Sequence, residues 1–265
     1  MPGSLRSLVP RSARPTLRVA RIGAVVLRPR RNLFLFSHMR SYSSLLGHIL
    51  GSNPEINGYA ELQMSYRTEL DIIRSILRVY ETNENQLHGK YIFDKVLHGH
   101  LKIGSVVLDR TQAVGIFAVR EPADTLRSTV AMARRHKNPD WKGDAAEVAD
   151  YYSSRLTQLA ELAESFRGPT CVLEAEALMT RTDEVLDRLT RFLKLKTPLR
   201  REYEVFSNTG RAAYGDPGKH IGSGRLVVDR EPHDEIQLDP ELLVDLEAQR
   251  QAVMLRLREA CDVSL

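Results

Sequence analysis

The chain has 265 residues, 42% hydrophobic and 27% charged, which supplies one large α/β domain or two small ones and excludes a disordered or fibrous protein. Its formal charge of +4 sits at the front: residues 1–31 hold Arg6, Arg11, Arg14, Arg18, Arg21, Arg28, Arg30 and Arg31 and no acid, and the remainder carries 30 basic against 34 acidic side chains. Net charge therefore gives no support for a nucleic-acid partner of the body of the chain.

The first acidic residue is Glu55, so the Arg- and Ser-rich front reads as a disordered basic leader, a transit-type targeting segment, or the product of a start codon placed too early. Cys171 and Cys261 have no neighbour at CxxC or CxxH spacing. Neither a disulfide framework nor a cysteine zinc site follows, and a reducing, cytoplasmic compartment is expected, with an organelle as the alternative if the leader targets. No apolar run approaches the ~20 residues of a membrane-spanning helix; Ile22–Leu27 is short and flanked by arginines. One domain over 32–265 is expected.

From Asn32 onward short apolar runs alternate with helical stretches, the pattern of a three-layer α/β domain with a central parallel sheet flanked by helices. Leu33–Phe36 reads as a buried strand and Ser43–Leu50 as the helix after it, closed by Gly51 and the turn Ser52-Asn53-Pro54. Leu62, Tyr66, Leu70, Ile73, Leu77 and Tyr80 recur at steps of three and four, predicting a helix over Glu61–Tyr80. A strand at Tyr91–Val96 and a stronger one at Val114–Val119 follow, and Pro122 stands where a first-turn proline opens a helix to about Arg135. Residues 136–144, with the single Trp141, read as a connector to a helix over Ala145–Phe166. Thr170–Glu174 is a short strand, Val185–Leu193 a helix, and Phe206–Arg230 a Gly-rich basic segment before a terminal helix carrying Leu242, Leu246, Val253 and Leu257.

Two motifs carry chemistry. Arg40-Ser41-Tyr42-Ser43-Ser44 lies between a buried strand and its helix, where free N–H groups, the positive end of the helix dipole, hydroxyls and a guanidinium make a phosphate cradle. It is not a Walker loop, because no GxxxxGK[ST] occurs. Arg120 ends the second strong strand and Ser128 lies two turns into the next helix, so both can reach one anionic group at the carboxyl edge of the sheet. Taken singly, a Ser-capped helix explains the first motif and an Arg–carboxylate pair the second.

In this order and spacing, followed by a late basic loop, the motifs resemble the sulfotransferase family that uses 3′-phosphoadenosine 5′-phosphosulfate, over residues 33–225. The resemblance implies a P-loop-like α/β fold without a metal. It implies that Arg40, Ser41, Tyr42, Ser43 and Ser44 hold the 5′-phosphosulfate, that Arg120 and Ser128 hold the 3′-phosphate, and that Arg211, before Gly215-Asp216-Pro217, reaches that phosphate too. Thr182–Leu195 resembles the helix that follows the family's Tyr-Glu-Asp-Leu strand end. The sequence departs from the pattern at Tyr42, where glycine is usual, and at Ala175-Glu176-Ala177-Leu178, where Tyr-Glu-Asp-Leu is usual.

The resemblance further implies sulfuryl transfer to an acceptor hydroxyl or amine, with Arg40 stabilising charge on the leaving group. His100 in His98-Gly99-His100-Leu101 resembles the histidine base of the cytosolic branch, and Glu61 resembles the acid used by bacterial and carbohydrate-directed branches. Histidine titrates nearest neutrality, which favours His100. His38 reads as a local hydrogen-bonding residue. The acceptor, whether carbohydrate, lipid, peptide or small alcohol, has no readable code. Two other readings stand beside this one: an atypical nucleotide-dependent phosphotransferase, which lacks a lysine or metal-binding carboxylate close behind Ser44, and a non-catalytic anion or nucleic-acid module driven by the leader.

Overall fold

The computed structural model describes residues 23, 25–83, 86–136, 144–211, 214, 220–228 and 233–265. The leader arginines up to Arg21, Trp141 and Gly215-Asp216-Pro217 lie outside them. Among the described residues six strands form one sheet: β1 (Arg31–Ser37), β2 (Ile56–Asn57), β3 (Tyr91–Val96), β4 (Val114–Val119), β5 (Thr170–Glu174) and β6 (Val263–Ser264). Their order is β2-β3-β1-β4-β5-β6, and every pairing is parallel. The helices are α1 (Ser43–Gly51), α2 (Glu69–Thr82), α3 (Ser105–Leu108), α4 (Pro122–His136), α5 (Ala145–Ser165), α6 (Ala177–Thr180), α7 (Thr182–Phe192) and α8 (Pro240–Ala260).

Strand alternation separates the two helical layers. Leu33 and Leu35 of β1 face the cluster built with α1, α6 and α7, while Phe34 and Phe36 face the cluster built with α2, α4, α5 and α8. Both faces of the sheet are covered, as a parallel sheet requires. Gly47 lets α1 approach the chain after β2, because a Cβ there would stand 2.7 Å from the Tyr59 carbonyl oxygen. Arg31, the last arginine of the basic front, opens β1 and donates from Nε to the Gln112 carbonyl at 2.9 Å.

One expected helix is corrected. Residues 61–68 are not helical, and α2 starts only at Glu69. The Asp71 carboxylate accepts from the N–H groups of Arg67 and Thr68 at 3.0 and 2.9 Å, which fixes the helix start there. Upstream, Gln63 has φ 50, the Leu62 N–H donates to Asp94 Oδ1 (2.8 Å), and the Tyr66 hydroxyl donates to Asp94 Oδ2 (2.6 Å). Leu62 and Tyr66 are buried, as their periodicity requires, but on an extended segment tied to β3.

Candidate active site

β1 has β3 on one side and β4 on the other, so the chain reverses its direction of sheet growth at β1. The loops leaving β1 and β4 lie side by side at the carboxyl edge, the place where open α/β sheets bind ligands. Arg40 stands in the first loop and Arg120 in the second.

These two turns meet. Arg40 Nε donates to Ser128 Oγ at 2.8 Å, and Arg120 Nη1 donates to the Arg40 carbonyl at 2.9 Å. Arg120 Nη2 pairs with Asp124 Oδ2 at 2.9 Å, and the guanidinium lies 4.3 Å from the centroid of the Tyr42 ring. Arg120 is 7% exposed, and its Nε has no hydrogen-bond partner among the described residues.

The α1 end of the cradle is open at the backbone. The helix's first described bond runs from Leu46 N–H to the Tyr42 carbonyl, so the N–H groups of Ser43, Ser44 and Leu45 have no helical acceptor. Tyr42 sits at φ 58, ψ 17 and Arg40 at φ 62, both left-handed. A position where glycine is usual thus keeps a glycine-like conformation with a tyrosine in it, at a cost of roughly 1–2 kcal/mol, and the ring's contact with Arg120 offsets part of that. Ser41 is buried: its hydroxyl donates to the His38 carbonyl (2.7 Å) and meets Ser37 Oγ at 2.6 Å, which shapes the turn from inside.

The loops are fixed from behind. The Arg120 N–H donates to His38 Nε2 at 3.0 Å, so Nδ1 carries the ring proton and donates it to the Met39 carbonyl at 2.8 Å. From α5, the Tyr151 hydroxyl accepts the Met39 N–H (2.9 Å) and donates to the Leu97 carbonyl (3.0 Å), and the Tyr152 hydroxyl donates to the Arg120 carbonyl (2.6 Å). Arg155 donates to the Ser37 carbonyl (2.9 Å) and the Val96 carbonyl (2.6 Å). The motifs in the sequence did not reveal these three side chains. The available signal was an arginine on the same helix face as the apolar Val148, Tyr152 and Leu159.

Burial, followed among the lowering influences by the charges of Arg120 and Arg155, holds the His38 pKa down at about 4, while the Met39 carbonyl pulls it upward. The folded value lies below the ordinary 6.5, so the unfolded chain takes up its proton first and stability from this group falls as pH drops from about 6.5 to about 4. Asp94, raised to about 7 by burial, contributes the opposite slope in that window. Denaturation midpoints measured from pH 4 to 7 on wild type and His38→Gln isolate the histidine. The variant is expected to lose less stability on acidification, and parallel curves would show that His38 is not held neutral.

The two candidate bases are placed differently. Glu61 lies on the extended segment ahead of α2, 3.4 Å from Nζ of the fully buried Lys95, and accepts from Gln63 Nε2 at 2.6 Å. His98 is close enough that Glu61 raises its pKa against a larger lowering by burial. His100 is exposed; its ring lies 5.3 Å from that of His98, and no described contact joins it to Glu61, Lys95 or Arg40.

Arg211 is exposed and donates to Asn208 Oδ1 at 2.9 Å; no described contact carries it to Arg40, Arg120 or Ser128. The segment ahead of it is clipped onto α1, because Thr209 Oγ1 lies 2.9 Å from His48 Nε2 and Phe206 stacks on Tyr59 with centroids 4.0 Å apart. Glu176, in the segment that departs from Tyr-Glu-Asp-Leu, accepts the Glu121 N–H at 2.8 Å and so ties the end of β5 to the turn after β4. Among the described residues no group of three or more His, Cys, Asp or Glu side chains is placed to hold a metal ion, and no helix is long and apolar enough to cross a membrane.

No protein-family model matches the sequence, and no curated protein matches it. Among solved structures the chain is similar to the sulfotransferase domain from the curacin biosynthetic pathway, at 17% identity and a TM-score of 0.50, over 87% of this chain and 98% of that one. The α/β fold with its parallel sheet is thus the sulfotransferase, P-loop-like fold.

Proposed function

We propose that this chain transfers a sulfuryl group from 3′-phosphoadenosine 5′-phosphosulfate to an acceptor hydroxyl or amine. The observation that carries the reading is the meeting of the turns after β1 and β4 at the switch point of the sheet, with Arg40 reaching from one turn to Ser128 beside the other. The residues fit such a donor. The N–H groups of Ser43, Ser44 and Leu45, which have no helical acceptor, and the positive end of α1 suit the 5′ end. Arg120 Nε, without a partner among the described residues, is a buried donor that an acceptor oxygen would satisfy, and Ser128, bonded to Arg40 Nε, would serve the 3′ end. Tyr42 covers one face of the guanidinium, so an anion meets Arg120 at its edge.

Arg40 and the α1 amides would stabilise charge on the leaving phosphate, and the protein would hold attacking and leaving oxygens in line. Glu61 is the base we favour, because it stands 3.4 Å from Lys95 Nζ on a segment that Asp94 anchors through Leu62. His100 is the alternative base, an exposed side chain whose described contact is the ring of His98. The nucleotide sites leave the acceptor open. Incubating the full chain with donor labelled in its sulfur, against carbohydrate, lipid, peptide and small-alcohol acceptors, tests the reading. Label transferred to one class with matching release of adenosine 3′,5′-bisphosphate is expected; no sulfur label transferred, with the γ-phosphorus of labelled ATP reaching an acceptor instead, would indicate a phosphotransferase.

A further inference from the structure

We propose that Tyr151, Tyr152 and Arg155 of α5 are positioning residues that set the separation of the two anion-binding turns, and thereby the preference for a nucleotide with two anionic ends over one with a single end. The inference rests on the donor reading above and names what tunes it.

Neighbouring residues of one helix hold one turn each. Tyr151 takes the N–H of Met39, next to Arg40, and Tyr152 gives its proton to the carbonyl of Arg120 itself. Arg155, one helical turn beyond Tyr151 and on its face, adds the carbonyls that end β1 and β3. The partners are all backbone groups, so the loops are held in place whatever their side chains do. A helix is a stiff ruler at this length, and moving either turn would break a bond to it.

Packing alone does not explain the choice of residues. A phenylalanine fills the volume of either tyrosine. Arg155 is 4% exposed, and burial lowers its pKa to about 10, the mark of a guanidinium kept in an unfavourable place. Its carbonyl bonds offset that cost, which a methionine of similar length would not incur. The buried polar groups therefore serve geometry more than stability. None of the three is assigned a contact with the nucleotide.

Titration calorimetry of the full chain with adenosine 3′,5′-bisphosphate and with AMP tests the proposal, the readout being the dissociation constant for AMP divided by that for the bisphosphate. Loss of folded chain lowers the active fraction for both ligands and leaves that ratio unchanged, and the thermal midpoint of each variant records it. Tyr151→Phe and Tyr152→Phe remove only a hydroxyl and are expected to shrink the ratio about 3- to 10-fold. Arg155→Met is expected to shrink it about 10-fold or more, with partial recovery on adding guanidinium ion. A ratio unchanged in all three variants would overturn the proposal and reduce α5 to support of the fold. A wild-type protein with no preference for the bisphosphate would instead overturn the donor reading beneath it.

Discussion

Replacing Arg120 with methionine is expected to weaken binding of adenosine 3′,5′-bisphosphate by about 10²-fold while leaving AMP within a few-fold of wild type. The residue follows β4, lies 7% exposed against Tyr42, and keeps a buried Nε–H without a partner among the described residues. Charge-assisted hydrogen bonds to a phosphate account for a loss of that size, and methionine keeps the stem packed so that the charge is what is removed. Arg120 also holds the Arg40 carbonyl and pairs with Asp124, so the variant alters the neighbouring turn as well. Calorimetry with both nucleotides separates the roles. A selective loss of the bisphosphate assigns Arg120 to the 3′ end, and an equal loss of both would mean that it acts only by holding the first turn.

The second large effect is on turnover. Arg40→Met is expected to slow sulfuryl transfer by on the order of 10²-fold or more, the range for removing one preorganised donor from developing charge. Arg40→Lys restores the charge but not the planar Nε bond to Ser128, so it should recover part of the rate and less of the bisphosphate affinity. Both substitutions face the same left-handed backbone at φ 62, which makes the pair a controlled comparison. Initial rates of adenosine 3′,5′-bisphosphate release measure it. The same assay decides the base: Glu61→Gln should remove the acid limb of the rate profile while His100→Asn leaves it, and the reverse pattern would return the role to His100.

The parts of the fold that depend on local pattern were legible in the sequence. Leu33–Phe36 and Val114–Val119 are continuous apolar runs because both faces of a parallel sheet are buried, and Pro122 marks the start of α4 because its fixed φ suits a first turn. The turns that carry Arg40 and Arg120 were legible for the same reason: each directly follows a recognisable strand. What failed was a periodicity shared by two structures. Leu62 and Tyr66 continue the helical spacing of α2, yet they are buried by tethers to Asp94, a residue remote in sequence. The pairing of Glu61 with Lys95, the clip between His48 and Thr209, and the hold of α5 on three loops are likewise contacts between distant segments. A single chain shows the residue types of such contacts but not their meeting. Tyr42 is the intermediate case: its departure from glycine was visible, and the positive φ that gives it meaning came from the structure.

The claim that one ligand with two anionic ends is held by both turns is tested most directly by thermal stabilisation of the wild-type chain. With adenosine 3′,5′-bisphosphate, ADP and AMP at equal concentration, the bisphosphate should raise the melting temperature clearly more than the other two, because it alone carries a phosphate for Arg120 and Ser128. Equal shifts, or a larger shift with ADP, would contradict the account.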